Sequence, residues 1–532
     1  MAEVDPLPYA TFPEMLRDVA QRHPEREAVV DGERRLLFPE LLCEAQRVAH
    51  GLRSLGVEPG DRVAVWASNE WRWVVMAWGI WELGAVIVPL STRWKAAEVA
   101  PILTKTEAKV LVAAGEAVGA PLLGALAEHC GRSDARPLNQ LGDLEWVVGL
   151  DLVEPLEKSI EFDALCARGD TADDCDSGGV RPGALCEILF TSGTTGLPKG
   201  VMLEQRQLLQ AYWDWSFFGG LRPGDRFMII PPYSHGFGIN GGILSCAMRG
   251  VTNLPVAVFD PASALALIER EQVTIMSGPP ALFATLMNAE RFEQIDTSSV
   301  HTALIGAATV PTEIILRMRD RMGISRVCNA YGLIEGCVVS MTRPDDSREV
   351  VSTTTGRAMP GVEVEIVDDH GHEVARNERG EVWLRSQGVM SGYWRDPEQT
   401  AAAITPEGWL KTGDIGVMDE LGHISVVDRK KDMYISGGFN AYPAEIENQL
   451  LRRPEIAAAA VVGVPDERLG EVGHAFVVAA TGQRIDPEVL LVWTKQQMAN
   501  YKVPSRIHIV DALPLNANGK VRKEVLKERA LS

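Results

Sequence analysis

Apolar positions recur along the chain in two textures. Thr11 and Glu14 precede "MLRDVAQRH", a capping pair that starts a helix. "EAVVDG" reads as a short strand running into a turn. Leu41, Ala45, Val48, Leu52 and Leu55 then repeat at three- and four-residue steps, the spacing of one buried helix face. "RVAVWAS" (62–68) follows the turn signal "VEPGD", and helices alternating with short β-rich runs continue through "GAVIVPL", "AKVLVAA" and "LEWVVGL". Apolar strands set between helices predict an α/β fold with parallel strands buried between helices. The stretch "VVMAWGIWELGAVIVPL" (74–90) raises a membrane span, but Glu82 interrupts it and Gly84 and Pro89 break it. It reads as a buried helix followed by a buried strand, so no membrane span is expected.

Further on, the polar, glycine-rich "ARGDTADDCDSGGVRPG" (167–183) is a surface connection ahead of the strand "ALCEILF". A loop rich in glycine and hydroxyls follows, and "LEQRQLLQAYWDWSFF" reads as the next helix. "RFMIIPP", "VTNLPVAVF", "VTIMSGPP" and "TALIGAA" are further strands. From about residue 356 the texture becomes period-two with turn glycines, which predicts a β-rich subdomain. After the charged stretch "DRKKD" (428–432) come a helix at "AEIENQLL", the strands "AAAAVVGV" and "GHAFVVAA", the helix "PEVLLVWTKQQMA" and the strand "RIHIVDA". The expected organisation is a large N-terminal domain, 1–428, of layered α/β subdomains plus the β-rich part, and a smaller α+β C-terminal domain, 429–532.

Composition narrows the partners. Hydrophobic residues make up 46% and charged residues 23% of 532, ordinary for a soluble globular protein of more than one domain. A formal net charge of -20 argues against a nucleic-acid partner, which needs a basic surface. The eight cysteines are scattered without a C-x-x-C pair, so reduced thiols in a cytoplasmic enzyme are expected. The N-terminus lacks the basic start and apolar core of a signal peptide.

The loop "FTSGTTGLPKG" (190–200) concentrates anion-binding chemistry: convergent backbone N–H groups, hydroxyls and one ammonium. Its spacing is neither a Walker A motif nor a dinucleotide fingerprint, since Pro198 precedes Lys199 and Gly200 follows it. It resembles the phosphate loop of the adenylate-forming superfamily, which includes acyl-CoA synthetases, luciferases and peptide-synthetase adenylation domains. Five more stretches resemble that family's motifs in order: "PPYSHGFG" (231–238), "NAYGLIEG" (329–336), "WLKTGD" (409–414), "DRKKDMYISGGFNAYPAEIE" (428–447) and "LPLNANGKVRK" (513–523).

The resemblance implies an ATP-dependent acid–CoA ligase. A carboxylate attacks the α-phosphate of ATP, pyrophosphate leaves, and the acyl group passes to the CoA thiol. On this resemblance Thr191, Ser192, Gly193, Thr194, Thr195, Gly196 and Lys199 hold the β- and γ-phosphates. Glu335 holds Mg²⁺. Tyr331 stacks on adenine, with Gly306, Ala307 and Ala308 beside the base. Asp414 accepts from the ribose hydroxyls with help from Arg429. His235, Phe237, Gly238, Gly332 and Ile334 belong to the acid pocket, His235 counting with Glu335 and Lys520 among the catalytic candidates. Lys520 meets the α-phosphate and the carboxylate, where it offsets charge that grows in the transition state. Lys431 matches the hinge about which the C-terminal domain turns, and Gly437 and Gly438 the thiol tunnel. Taken alone, a lysine after "NANG" reads as a solvated turn residue, and a lone glutamate as a surface carboxylate.

Two positions depart from the family. Ile334 stands where its Y-G-x-T-E motif has threonine, which removes a hydroxyl beside the reacting centre, and Asp428 stands where many members have glycine. Gly236, Gly238, Gly241 and Gly242 around His235 suggest room for a bulky acid: aryl, polycyclic or medium-to-long acyl. Ile334 keeps open a relative that passes its acyl group to a separate carrier protein, or that activates nitrite for diazotisation of an arylamine. A non-catalytic nucleotide-binding module is the reading from another class, and retention of Lys520, Glu335 and Lys199 argues against it. A homodimer stays open.

Overall fold

The computed structural model describes residues 4–117, 119, 121–130, 141–152, 158–170, 179–191, 198–306, 312–430, 432–436, 439–466, 468–516 and 520–531. The chain forms two compact units, residues 1–364 with 384–410, and residues 365–383 with 411–532.

Two large sheets organise the first unit. Among the described residues, the eight-stranded sheet runs in the order Gly392–Tyr393, Lys199–Glu204, Leu185–Thr191, Val86–Pro89, Arg62–Trp66, Ala108–Ala114, Trp146–Leu150 and Ser159–Glu161. From Leu185–Thr191 onward its neighbours are parallel, with Val63 beside both Ile87 and Val110. The nine-stranded sheet is parallel through Arg226–Ile229, Thr252–Pro255, Ile275–Ser277, Thr302–Gly306 and Arg326–Leu333, and antiparallel at both ends. Runs such as Val63–Val65 and Val86–Val88 are buried on both faces, as strands sandwiched between helices must be.

The apolar stretch at 74–90 folds as expected. Trp71–Leu83 is a helix, Gly84 ends it in the left-handed region (φ +76°), and Val86–Pro89 is a fully buried strand. Glu82, the charge in that stretch, is buried and paired with Arg17 from Phe12–Arg22. That pairing lets a carboxylate sit inside the packing of Trp73, Trp78 and Trp81. Among the described residues, no helix is long and apolar enough to cross a membrane.

One expected connection differs. The glycine-rich loop does not lead straight into a helix. Lys199–Glu204 is a strand antiparallel to Leu185–Thr191, so the loop closes a hairpin with Thr191 opposite Lys199. The helix begins only at Gln205, where the Glu204 backbone N–H donates to the Gln207 side chain (2.7 Å). "KGVMLE" is short and buries Gly200, Val201 and Leu203. So brief a run gives little periodicity to read from sequence.

The second unit contains most of a four-stranded sheet and all of a five-stranded one. The longest pairing joins Ile456–Asp466 to Gly470–Ala479, with Arg506–Ile509 parallel to the latter. The helices Pro443–Leu450 and Pro487–Gln497 are those read from sequence. A last helix, Lys523–Leu531, went unanticipated: only Leu526 is buried on it, against Ala460, Val462, Val464 and Phe476.

Candidate active site

Ser192, Gly193, Thr194, Thr195 and Gly196 lie outside the described residues, as do Ala307, Ala308, Lys431, Gly437 and Gly438. The loop's two ends are described. Lys199 Nζ donates to Gln399 Oε1 (2.6 Å) and stands 4.9 Å from the centroid of the Tyr393 ring, a cation–π distance. Tyr393 Oη in turn donates to Glu335 Oε1 (3.1 Å). A phosphate-loop lysine and the acidic residue of a motif 136 positions later are thus joined through one aromatic ring.

Backbone pairing builds this cluster. Tyr393 pairs antiparallel with Val201 on the strand that carries Lys199, and Trp394 N–H donates to the Gly200 carbonyl (2.7 Å). Gly392 has φ +139°, and a Cβ there would stand 2.9 Å from Thr400 Cγ2. The helix Pro397–Ala403, capped by the Asp396 carboxylate at Gln399 N–H (3.1 Å), presents Gln399. Glu335 is held at its backbone, where its carbonyl accepts from Met390 N–H (2.8 Å). Burial and the Glu335 carboxylate push the Tyr393 phenol above its ordinary range, so it stays a proton donor. Tyr393 and Gln399 escaped the sequence reading because nothing in "SGYWRDPEQT" is periodic or acidic enough to single them out.

Gly306 ends the strand Thr302–Gly306 beside Ala330, the residue before the buried Tyr331. Among the described residues, a Cβ at Gly306 would meet the Ala330 carbonyl, at 3.4 Å. At Gly332 the backbone is approached closely: a Cβ there would stand 2.4 Å from the Cys337 carbonyl oxygen. That close approach lets the chain double back through Ile334–Gly336, placing Glu335 at the bend.

The segment carrying His235 is clamped by Asn69, a residue the sequence did not flag. Asn69 Oδ1 accepts from Tyr233 N–H (2.8 Å) and its Nδ2 donates to the Pro231 carbonyl (2.9 Å). His235 Nδ1 accepts from Phe237 N–H (3.2 Å), which leaves the ring proton on Nε2. The nearby glycines allow close packing here rather than open space. A Cβ on Gly238 would fall 2.0 Å from the Pro232 carbonyl oxygen, and one on Gly241 would fall 2.7 Å from the Phe237 ring. Phe237 lies edge-on to Trp215, with centroids 5.9 Å apart. The room expected above Gly241 is filled by Phe237.

In the second unit, Asp414 and Arg429 face each other across an antiparallel pair, with Nε to Oδ1 at 2.6 Å. Asp414 is buried, and its backbone N–H donates to Thr412 Oγ1 (3.0 Å). Lys520 is exposed at the end of a turn in which its N–H donates to Asn516 Oδ1 (2.9 Å) and Asn516 N–H donates to its carbonyl (2.7 Å).

Among the described residues no cluster of three or more His, Cys, Asp or Glu side chains forms a metal cage. A lone carboxylate beside a phosphate-binding loop suits Mg²⁺, which draws most of its ligands from phosphate and water.

The chain matches adenylate-forming enzymes over nearly its full length. The family description "AMP-binding enzyme" fits residues 16–394, and "AMP-binding enzyme C-terminal domain" fits residues 445–520. The chain belongs to the AMP-binding enzymes of the adenylate-forming superfamily. It is 40% identical over 526 residues to the 3-[(3aS,4S,7aS)-7a-methyl-1,5-dioxo-octahydro-1H-inden-4-yl]propanoyl:CoA ligase of Rhodococcus jostii (strain RHA1), covering 97% of this chain and 98% of that one. It is 34% identical to a feruloyl-CoA synthase of Amycolatopsis sp, over 96% and 97% of the two chains. Among solved structures it resembles the anthranilate CoA ligase AuaEII in complex with anthranoyl-AMP, with TM-score 0.88, 25% identity, and 99% and 98% of the chains covered.

Proposed function

We propose that this protein is an ATP-dependent acid–CoA ligase that activates a bulky acid: aryl, polycyclic or medium-to-long acyl. The observation that carries the reading is the Lys199–Tyr393–Glu335 cluster, which puts a cation and an anchored carboxylate at the mouth of the glycine-rich hairpin. A substrate carboxylate oxygen bonds to the α-phosphorus while the bond to pyrophosphate breaks; the CoA sulfur then attacks the acyl carbon and AMP leaves. Both attacking and receiving groups are anionic in the first step, so the work is charge neutralisation and alignment. Lys199 and the hydroxyls of 191–195 hold the pyrophosphate portion. Glu335 would hold Mg²⁺, a cation that would offset phosphate charge. Asp414 and Arg429 hold the ribose, Tyr331 and Gly306 the base, and His235 and Phe237 border the acid.

The working division of labour is 1–428 for ATP and acid, and 429–532 for the mobile catalytic Lys520, with Lys431 as hinge and Gly437 and Gly438 along the thiol's path. CoA is the acceptor, in keeping with the relatives' names, and the reaction is cytoplasmic. Ile334 lines the bend next to Glu335 with carbon where the family motif has threonine, so Lys520 would carry the α-phosphate charge here.

The test is pyrophosphate release across a panel of acids, with and without CoA, and with nitrite plus an arylamine. Thioester detected by mass, dependent on ATP and CoA, supports the reading. Pyrophosphate without any CoA adduct assigns another acceptor, and none with any substrate removes the enzyme.

A further inference from the structure

Glu187 and Asn240 form a buried polar pair for which the phosphate chemistry has no use. Glu187 lies inside Leu185–Thr191 with 0% exposure, among apolar neighbours. Its side chain leaves the strand on the face opposite Ile188 and Phe190, which pack into the core on the other side. Asn240 Nδ2 donates to Glu187 Oε2 (3.0 Å). The second oxygen of each group, Glu187 Oε1 and Asn240 Oδ1, is buried and has no hydrogen-bond partner among the described residues. Orphaned oxygens in a packed interior are costly, and natural cores avoid them unless water or a ligand completes them.

Their place in the fold says which ligand. Asn240 belongs to Ile239–Leu244, a π-helical turn that directly continues the His235–Gly238 segment. Such widened turns recur at functional sites because they re-aim side chains. Tyr212 Oη donates to the Gly236 carbonyl (3.4 Å), and Leu189, two residues after Glu187, lies 3.7 Å from where a Gly236 Cβ would be. The pair therefore sits immediately behind the segment that borders the acid.

Burial raises the Glu187 carboxyl to about 8, so at neutral pH it keeps its proton. Oε2 already accepts from Asn240, which leaves the proton on Oε1. One donor, Oε1–H, and one acceptor, Oδ1, are then left without a partner among the described residues. A hydroxyl satisfies both by accepting from the first and donating to the second, and a ketone oxygen satisfies the first.

The geometry points to a polar subsite in which Glu187 and Asn240 select acids carrying a hydroxyl or ketone oxygen remote from the reacting carboxylate. The inference rests on the acid–CoA ligase reading and adds the chemistry of the acid's far end.

The test uses matched acids: cyclohexylpropanoate with its para-hydroxy and para-oxo derivatives, and decanoate with its terminal hydroxy and penultimate oxo derivatives. Pyrophosphate release gives kcat/KM for each with wild type, Glu187→Leu and Asn240→Leu. Wild type is expected to favour an oxygenated acid over its hydrocarbon parent by about tenfold or more, the worth of a buried hydrogen bond, with hydroxy above oxo. Glu187→Leu is expected to collapse the ratio for both derivatives, and Asn240→Leu to lower mainly the hydroxy preference. Equal kcat/KM within each wild-type series, or an unchanged ratio in Glu187→Leu, overturns the subsite and leaves the ligase reading standing. If Glu187→Leu does not fold, the wild-type and Asn240→Leu ratios decide alone. Absence of pyrophosphate with every acid overturns the ligase reading and the subsite with it.

Discussion

Lys520 is an exposed residue whose backbone N–H donates to Asn516 Oδ1 (2.9 Å). An exposed ammonium stabilises little where it stands. Its value is in a site where two anions meet, and there removing one positioned donor costs about a hundredfold or more. Lys520→Ala is therefore expected to lower adenylation by at least that factor, read as pyrophosphate release, while thioester formation from preformed acyl-adenylate stays within a few fold. Equal loss in both half-reactions contradicts a role confined to the first. Glu187 is the opposite case, a carboxyl with no water. Its pKa is raised from 4.5 to about 8, so between these values the unfolded chain releases a proton that the folded chain keeps. Stability from this group is full below about pH 4.5 and is lost as pH rises through about 8. Glu187→Gln, which cannot ionise, is expected to flatten the fall in Tm between pH 5 and 9, and a fall as steep as wild type's counts against a neutral Glu187. Neither residue's behaviour follows from its type. Lys520 was legible through the motif around it. Glu187 left only the trace of one acid inside the apolar run "LCEILF".

At the scale of elements, close backbone approach decides more than side-chain volume. The His235–Gly238 segment crosses Pro231 and Pro232 so tightly that a Gly238 Cβ would sit 2.0 Å from a carbonyl oxygen. Gly238 has ordinary helical dihedrals (φ −74°), so the requirement is space, with no strain in φ. Gly238→Ala is expected to lower stability by about 1–3 kcal/mol, the usual cost of overpacking, and to raise KM for the acid by shifting His235. Chemical denaturation with acid kinetics checks both; an unchanged midpoint sinks the close-approach account. Of the glycines read from sequence as room for a bulky acid, Gly238 and Gly242 have close neighbours, the space at Gly241 is filled by the Phe237 ring, and Gly236 has only ordinary contacts, at 3.7 and 3.9 Å. The strand Lys199–Glu204 was missed for a related reason. Its existence depends on pairing with Leu185–Thr191, and a six-residue run has too few positions to show a period.

Across the whole molecule, the proposed two-step reaction needs Lys520 at the reacting centre first and the thiol in its place second. That demands backbone rotation at one connection, for which "DRKKD" offers Lys431. Proline locks φ near −65°. Lys431→Pro is expected to slow one half-reaction at least tenfold more than the other, measured by pyrophosphate release and by thioester formation from preformed acyl-adenylate. Equal effects on both rule out a hinge there. The same scale holds the cluster most informative about ATP. Lys199, Glu335 and Tyr393 come from distant stretches and meet because Gly392–Tyr393 adds to the edge of the strand bearing Lys199.

Local chemistry was written openly in the chain. Apolar runs between helices, cap residues, turn glycines and the six motif stretches defined an α/β enzyme with a phosphate loop, because each depends on neighbours a few residues away. What joined Tyr393 to Glu335 and brought Glu187 against Asn240 was contact between segments far apart in sequence. Pairing register and burial are properties of the folded chain, and no periodicity or spacing along the string encodes them.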